Sequence, residues 1–163
     1  MRKVKAKKLT LKDYAQYGQF ADLLHPEGFT LGEKPVLFYR DMLTVYSGDM
    51  VNGYSVVYCD KRKMVVDEAE IHNAGTEVLI PLDDDVTVFV APAGSNEFPV
   101  GQEKAFIVPK GTMITFKPGV WHKAQYPINN EHVSVVCILP EREYARDCLV
   151  VQLKEEEQFE IVL

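Results

Sequence analysis

Two short stretches of this sequence carry side chains that can bind a metal or transfer a proton. The first contains Glu70, His72 and Glu77, and the second ends at His122 after a Pro-Gly pair. Two imidazoles and two carboxylates form a mixed nitrogen and oxygen donor set, which suits zinc, manganese, iron or nickel. The same groups suit general acid–base catalysis without a metal. The residues alone therefore leave both kinds of site open.

The spacing of these residues indicates how a β-structure could bring them together. Glu70 and His72 are two positions apart, so in a strand their side chains point to the same face. Gly75 gives the backbone freedom that a turn before Glu77 requires. The Pro-Gly turn can return His122 toward the first pair of strands. We therefore predict that His72 and His122 share one pocket, with Glu70 or Glu77 beside them.

Two residues that follow His122 are candidates for substrate binding. Tyr126 shares the face of His122 by strict strand alternation, so its hydroxyl could donate into the pocket. Lys123 points to the opposite face by the same rule, and it could hold a substrate carboxylate only if a bulge turned it inward. The sequence has no Gly-rich phosphate loop and no Gly-x-Ser-x-Gly nucleophile motif.

The elements that must position these groups are mostly strands. From Pro35 onward, short runs rich in Val, Tyr, Phe and Ile alternate with turn residues, which is typical of a sandwich, jelly roll or barrel. The predicted strands are Val36–Tyr39, Leu43–Tyr46, Tyr54–Tyr58, Val65–His72, Thr76–Pro81, Val86–Ala91, Ala105–Val108, Met113–Phe116, Lys123–Tyr126, Val133–Leu139 and Leu149–Leu153.

The two ends of the chain predict different structures. Between Leu9 and Leu24 we expect a helix of about two or three turns, capped by Thr10 and limited by Gly18. The basic segment before it alternates Lys and Arg with small apolar residues, which suits a solvated edge strand. The run Glu155–Glu157 suits a solvated tail or a helix start.

Length and composition limit the class of protein. With 163 residues, 47% of them hydrophobic, the chain is expected to form a single domain, residues 1–163, that buries a core without disulfides. No apolar run approaches the ~20 residues of a membrane-spanning helix, so no membrane partner is expected. The net charge of −6 argues against a nucleic-acid partner. The three cysteines form no Cys-x-x-Cys pair, which favours free thiols in a reducing cytoplasm.

These residues resemble the motifs of the ureidoglycolate lyase family, long called ureidoglycolate hydrolases, whose members are cupins. Three positions depart from the family pattern: Ile71 stands where Arg is usual, Glu77 where Gln is more frequent, and Lys123 where a second His commonly follows. The segments that carry the likeness are Tyr14-Ala15-Gln16-Tyr17-Gly18, Glu70-x-His72-x-x-Gly75-Thr76-Glu77-Val78-Leu79-Ile80-Pro81, Val86–Ala91, Gly119-Val120-Trp121-His122 and Asp147-Cys148.

The resemblance implies an all-β fold: a cupin-type double-stranded β-helix, or jelly-roll barrel, with a short N-terminal helix. It also implies an enzyme of allantoin degradation, within purine metabolism, that splits ureidoglycolate or a similar small polar acid into glyoxylate and urea. A homodimer is expected because the sheet edges of such a barrel invite pairing.

The spacing of the residues and the resemblance together give the candidate site residues. The candidate catalytic residues are His72, His122, Glu77 and Glu70, and the candidate substrate ligands are Tyr126 and Lys123. If a metal is bound, Glu70, His72, Glu77 and His122 would hold Mn, Zn, Fe or Ni.

Two other functions stay open at this point. The first is a different metal-dependent cupin enzyme, such as an isomerase, epimerase or dioxygenase, which Glu77 in place of Gln favours. The second is a non-catalytic cupin that binds a sugar or a small acid. Metal content separates these two alternatives from each other, and production of urea separates the lyase from both.

Overall fold

Fifteen short strands and two single-turn helices make up the structure, a computed structural model that describes residues 1–163. In chain order the elements are β1 (Arg2–Lys8), α1 (Leu11–Tyr14), β2 (Phe20–Asp22), β3 (Thr30–Leu31), β4 (Phe38–Tyr39), β5 (Asn52–Asp60), β6 (Val65–Val66), β7 (Glu68–Ile71), β8 (Glu77–Pro81), β9 (Val86–Val90), β10 (Lys104–Val108), β11 (Thr112–Phe116), β12 (Tyr126–Pro127), β13 (His132–Pro140), α2 (Glu143–Arg146), β14 (Leu149–Gln152) and β15 (Phe159–Val162). Neither helix is long and apolar enough to cross a membrane.

Two larger sheets form the body of the molecule. One has the strand order β12-β9-β10-β1-β15-β6, and the other has the order β2-β11-β8-β13-β5. Their inner faces pack together, because one core cluster contains Val88 and Phe106 of the first sheet and Leu79, Ile114 and Val135 of the second. The all-β class predicted from the sequence is therefore confirmed.

A second core cluster covers the other face of the six-stranded sheet. It contains Phe89 of β9, Phe159 of β15, Ile71 of β7 and the single tryptophan, Trp121. Every residue of β9 is buried, as expected for a strand that is covered on both faces. Strand β7 packs on this side; it carries the predicted site residue Glu70, and His72 follows directly after it.

The N-terminal helix is shorter than predicted. Helix α1 makes a single turn and is capped as expected, because the Thr10 hydroxyl oxygen accepts a hydrogen bond from the Asp13 amide at 3.2 Å. The chain then passes Gly18, where a Cβ atom would lie 1.7 Å from the carbonyl oxygen of Thr115. This close approach leads the chain into β2 instead of a second helical turn.

The predictions for the two charged ends are wrong. Strand β1 lies between β10 and β15 and runs parallel to both, so it is an interior strand. Its alternating basic residues reflect one solvated face, and an edge strand would give the same pattern. The run Glu155–Glu157 forms a turn that leads into β15, where Phe159 and Ile161 are buried.

Four predicted strands differ in the structure, and the one predicted at 36–39 shrinks to Phe38–Tyr39. The segment 43–46 forms no strand, since the Tyr46 amide bonds to the Thr76 hydroxyl and no ladder is made. The predicted strand at 123–126 shrinks to Tyr126–Pro127. The predicted strand at 65–72 is divided at Asp67 into β6 and β7, which belong to different sheets.

Candidate functional site

Backbone hydrogen bonds bring the two motifs together at β7. The Glu70 amide donates to the His122 carbonyl at 2.8 Å, and the His122 amide donates to the Glu70 carbonyl at 3.0 Å. The turn before this bridge depends on Gly119, whose φ of +78° favours glycine. The Gly119 amide donates to the His72 carbonyl at 2.6 Å. The Pro-Gly turn therefore returns His122 to β7, as the spacing predicted.

All four predicted acid–base side chains converge. One carboxylate oxygen of Glu77, Oε2, lies 3.3 Å from His72 Nε2 and 3.0 Å from His122 Nε2. The two imidazole centroids are 5.3 Å apart. One ligand atom each from Glu70, His72 and His122 lies within 4.8 Å of the other two. His72, His122 and Glu77 are each less than a tenth exposed, so the cluster is nearly closed to solvent.

A hydrogen bond at Nδ1 fixes the orientation of each imidazole ring. His72 Nδ1 lies 2.7 Å from the Asp147 carbonyl oxygen, and His122 Nδ1 lies 2.8 Å from the Val120 carbonyl oxygen. A carbonyl oxygen only accepts, so each Nδ1 carries a proton and donates it. Both Nε2 atoms are thereby aimed at the carboxylate of Glu77.

This donor set fits a divalent metal. A carboxylate also only accepts, so each Nε2 needs a proton of its own to hydrogen-bond to Glu77. A metal ion would instead take the lone pairs of both Nε2 atoms, and an Nδ1–H donated to a backbone carbonyl is the usual support for such a ligand. With Glu70 and Glu77 the set holds two nitrogen and two carboxylate donors, as Mn, Zn, Fe and Ni accept.

When no metal is bound, the His72 imidazole and the Glu77 carboxylate carry opposite charges. Burial lowers the pKa of His72, but the hydrogen bond and negative charge of Glu77 outweigh it and raise this pKa to about 9. Burial raises the pKa of Glu77, but the charge and hydrogen bond of His122, followed by those of His72, lower this pKa to about 2. Near neutral pH, metal-free protein therefore holds His72 as imidazolium against an ionised Glu77.

We expect the free energy of unfolding of the metal-free protein to fall as the pH rises from 6.5 to about 9. Folded His72 keeps its proton up to about 9, whereas in the unfolded chain it loses the proton near its ordinary pKa of 6.5. The stabilisation is therefore complete below 6.5 and is lost as the pH rises through 9. Urea midpoints measured with a chelator should fall across this range. The fall should be smaller in His72→Asn, and equal pH dependence in both proteins would contradict the assignment.

Asp147 is a site residue whose position the sequence did not predict. Besides holding His72 through its carbonyl, it accepts hydrogen bonds at Oδ2 from the amides of Asn73 and Ala74, at 2.7 and 2.5 Å. It therefore fixes both the imidazole and the turn between β7 and β8. Asp147 is 75 residues from His72, so no local spacing connects the two. The only signal was the likeness of the Asp147-Cys148 pair to the family.

Low-polarity groups enclose the cluster. The ring of Phe116 stacks on His122 with 4.4 Å between centroids. The Cys137 sulfur lies 3.7 Å from Glu77 Oε1. Burial, together with the charge of Glu77, raises the pKa of Cys137, so this group is a thiol and not a thiolate ligand. The surroundings strengthen the charge interactions between the imidazoles and the carboxylate.

The two candidate substrate ligands lie in different places. Lys123 Nζ is 2.9 Å from Glu70 Oε2 and 3.0 Å from Glu68 Oε1, so it reaches the edge of the cluster. Tyr126 does not reach the cluster, because its hydroxyl donates to the Val65 carbonyl at 2.7 Å and its side chain lies in the second core cluster. Strict alternation fails here because residues 123–125 are not in a strand.

Two polar cavities open at the turn that carries His122. One, of about 320 Å³, is lined by Asn73, Ser95, Asn96 and Gly119 among others. The other, of about 300 Å³, includes Thr76, Thr115 and Lys117 in its lining. Both border Pro118, and neither is lined by Glu70, His72, Glu77 or His122.

Comparison with known proteins gives one family and a shared fold. The family described as ureidoglycolate lyase matches residues 1–160 of the chain. No curated protein matches. A dTDP sugar isomerase from Desulfovibrio desulfuricans G20 is similar in structure at a TM-score of 0.52, with 15% identity over 85% of this chain and 86% of that one. This likeness supports the cupin-type jelly-roll barrel predicted from the sequence.

Other similar structures belong to larger proteins. Oxalate decarboxylase from Bacillus subtilis matches at a TM-score of 0.46, with 15% identity over 64% of this chain. The match covers 24% of that chain, so the matched part of this chain spans about a quarter of the length of the decarboxylase.

Proposed function

Because the chain belongs to the ureidoglycolate lyase family, we propose that it cleaves the C–N bond of ureidoglycolate, or of a similar small polar acid, to give glyoxylate and urea. The observation that carries the proposal is the pair of buried imidazoles whose Nε2 atoms both face one oxygen of Glu77, at 3.3 and 3.0 Å. Such a linked pair can accept one proton and donate another within the same site.

The reaction requires a proton to leave an oxygen and another to reach a nitrogen. A base takes the proton of the carbinol hydroxyl, the carbonyl of glyoxylate forms as the C–N bond breaks, and an acid protonates the departing urea nitrogen. We assign His72 as the acid, since its raised pKa of about 9 keeps it protonated near neutral pH. His122 is then the base, in the form whose Nδ1 alone carries a proton and whose Nε2 lone pair is free. In that form Glu77 hydrogen-bonds to His72 alone, and the proton that His122 gains must return to His72 before the next turnover.

The substrate carboxylate needs a cation at the edge of this pair. Lys123 is the assigned partner, because its ammonium group already holds the carboxylates of Glu68 and Glu70 there. On binding, the substrate carboxylate would replace one of these two. The contact between Lys123 and Glu70 also supports a role for Glu70 in orienting the ammonium group when no substrate is present.

A divalent metal held by Glu70, His72, Glu77 and His122 would supply a Lewis acid that polarises a substrate oxygen. Because that metal would take the lone pairs of both Nε2 atoms, the proton steps assigned to the two histidines belong to the metal-free protein. A place in allantoin degradation and a cytoplasmic location belong to the proposal as well.

The direct test is product formation from ureidoglycolate by the purified protein. Urea and glyoxylate should appear in equal amounts, with no redox cofactor consumed. The assay is repeated after chelation and after addition of Mn, Zn, Fe or Ni. If no urea forms under any of these conditions, the lyase proposal is wrong.

A different metal-dependent cupin enzyme, such as an isomerase, epimerase or dioxygenase, is the second candidate. The arrangement that favours it is the close grouping of Glu70, His72 and His122, which suits a metal centre. Tightly bound metal in the purified protein, together with no urea from ureidoglycolate, would support this candidate over the lyase.

A further inference from the structure

A buried carboxyl group lies behind the turn that joins β7 to β8. It belongs to Glu143, the first residue of α2, which is 0% exposed. A Cβ atom on Gly75, in that turn, would lie 3.2 Å from Glu143 Oε1. The same turn connects His72 to Glu77. The carboxyl group therefore packs directly against the backbone between two residues of the cluster.

The backbone bends sharply just before Glu143. Arg142 has a φ of +60°, in the left-handed region that residues other than glycine seldom adopt. No side chain caps α2 at this position. A fold that retains an unfavourable backbone conformation often does so at a functional segment. The bend directs Glu143 inward, toward the cluster.

One oxygen of the Glu143 carboxyl group has a hydrogen-bond donor and the other has none. Oε2 accepts from Arg146 Nη2 at 2.7 Å. Oε1 is buried and accepts no hydrogen bond. A buried acceptor without a donor is costly. A proton on Oε1 would remove this cost, because the group could then donate to a neighbouring acceptor.

Asp147 provides that acceptor. Its side chain is a hydrogen-bonding neighbour of the Glu143 carboxyl group, and its amide donates to the Glu143 carbonyl at 2.8 Å. Two carboxyl groups so close together favour a state with one shared proton. Because Asp147 Oδ2 already accepts from the amides of Asn73 and Ala74, the proton is placed on Glu143.

The surrounding charges favour the same arrangement. Burial, followed by the negative charge of Asp147, raises the pKa of Glu143. The positive charges of Arg146 and His72 act in the opposite direction and are outweighed. The Arg146 side chain is 42% exposed, so water screens its charge. Glu143 therefore holds a proton more readily than a glutamate in water.

We propose that Glu143 is a positioning residue that acts on His72 through Asp147. As a neutral acid, Glu143 donates to the Asp147 carboxylate. This bond holds Asp147 where its carbonyl oxygen accepts the Nδ1 proton of His72 at 2.7 Å. An effect of Glu143 on turnover rests on the proposed lyase function, whereas its effect on the His72 ring does not.

Two substitutions of similar size test this role. Glu143→Gln keeps an N–H donor for Asp147 and an oxygen acceptor for Arg146, whereas Glu143→Met fills the space without either. In Glu143→Gln, the solvent exchange of the His72 Nδ1 proton, measured by NMR on metal-free protein, and the turnover should both stay close to wild type. In Glu143→Met, exchange should be about tenfold faster and turnover about tenfold lower, as is usual when a histidine loses its outer hydrogen-bond support.

Glu141→Met is the matched control, because it makes the same change at an exposed position of the same segment. It should leave exchange and turnover unchanged. Infrared difference spectra between the wild type and Glu143→Gln give a second measurement, which needs neither activity nor a folded Glu143→Met. They should contain the C=O band of a protonated carboxyl group near neutral pH.

The outcomes separate this proposal from the lyase proposal. If Glu143→Gln disturbs His72 as much as Glu143→Met does, or if the difference spectrum shows a carboxylate, then Glu143 acts as an ion-pair partner of Arg146 and the proposal is wrong. Wild-type exchange at His72 in folded Glu143→Met would also overturn it, even if urea forms. If His72 responds as expected but the wild type makes no urea, the lyase proposal fails and the positioning role stands.

Discussion

His122→Asn should lower the turnover of ureidoglycolate at least about a hundredfold, the usual cost of removing a general acid or base. The Asn amide can reproduce the donor at Nδ1, which bonds to the Val120 carbonyl at 2.8 Å. It cannot reproduce Nε2, which faces Glu77 at 3.0 Å. The substitution therefore removes the proton acceptor and retains the support behind it. Asn also fills part of the space beside Phe116, so the loss of stability should be smaller than for Ala.

His132→Asn is the control for this measurement. His132 begins β13, is exposed, and stacks on Tyr58 outside the cluster. It should retain wild-type turnover. Steady-state rates, taken with thermal unfolding of both variants, separate a catalytic defect from a folding defect. If folded His122→Asn turns over within a few-fold of the wild type, then His122 is not the base.

Glu77→Gln should retain lyase activity within about tenfold but displace its pH profile strongly. Glu77 is the group that raises the pKa of His72 to about 9 against the opposing effect of burial. Without that charge, burial should lower the pKa of His72, opposed only by the Asp147 carbonyl and the charge of Glu70. Because His72 is the assigned acid, the basic limb of the rate profile should move to lower pH. Gln is also the residue that the family resemblance places here.

The measurements are the pH–rate profile and the NMR titration of His72 in the two proteins. Glu131→Gln, which changes an exposed carboxylate, should leave both unchanged. If bound metal and activity instead fall together at every pH in Glu77→Gln, then Glu77 is an essential metal ligand. That outcome would favour the metal-dependent cupin enzyme over the lyase.

The grouping of Glu70, His72, Glu77 and His122 was predicted because it depends on local rules. Glu70 lies in β7 and His72 two positions further on, just after the strand, and the Gly119 turn returns the chain to β7. Those rules do not extend beyond the strands. Lys123 reaches Glu70 and Tyr126 leaves the site because the chain between them is irregular. Asp147 could not be placed, since its contact with His72 depends on how distant segments pack.

The all-β fold class was predicted from the sequence, but the pairing of the strands was not. Alternation in β1 correctly indicated one solvated face, but a face pattern does not reveal which strands lie on either side. The apolar strand β15 follows an acidic run and was not predicted as a strand. Helix α1 was predicted too long because the approach of Gly18 to Thr115 is a contact between distant parts of the chain.

The parallel pairing of β1 with β15 has a consequence for synthesis. Arg2 is aligned with Phe159, so the two strands that adjoin in the six-stranded sheet lie far apart in the sequence. On the ribosome, β1 must wait for β10 and then for residues 159–162 before both of its edges are filled. Contacts so distant in sequence are slow to form. Until residues 159–162 have been made, a nascent chain of this protein therefore exposes an incomplete sheet.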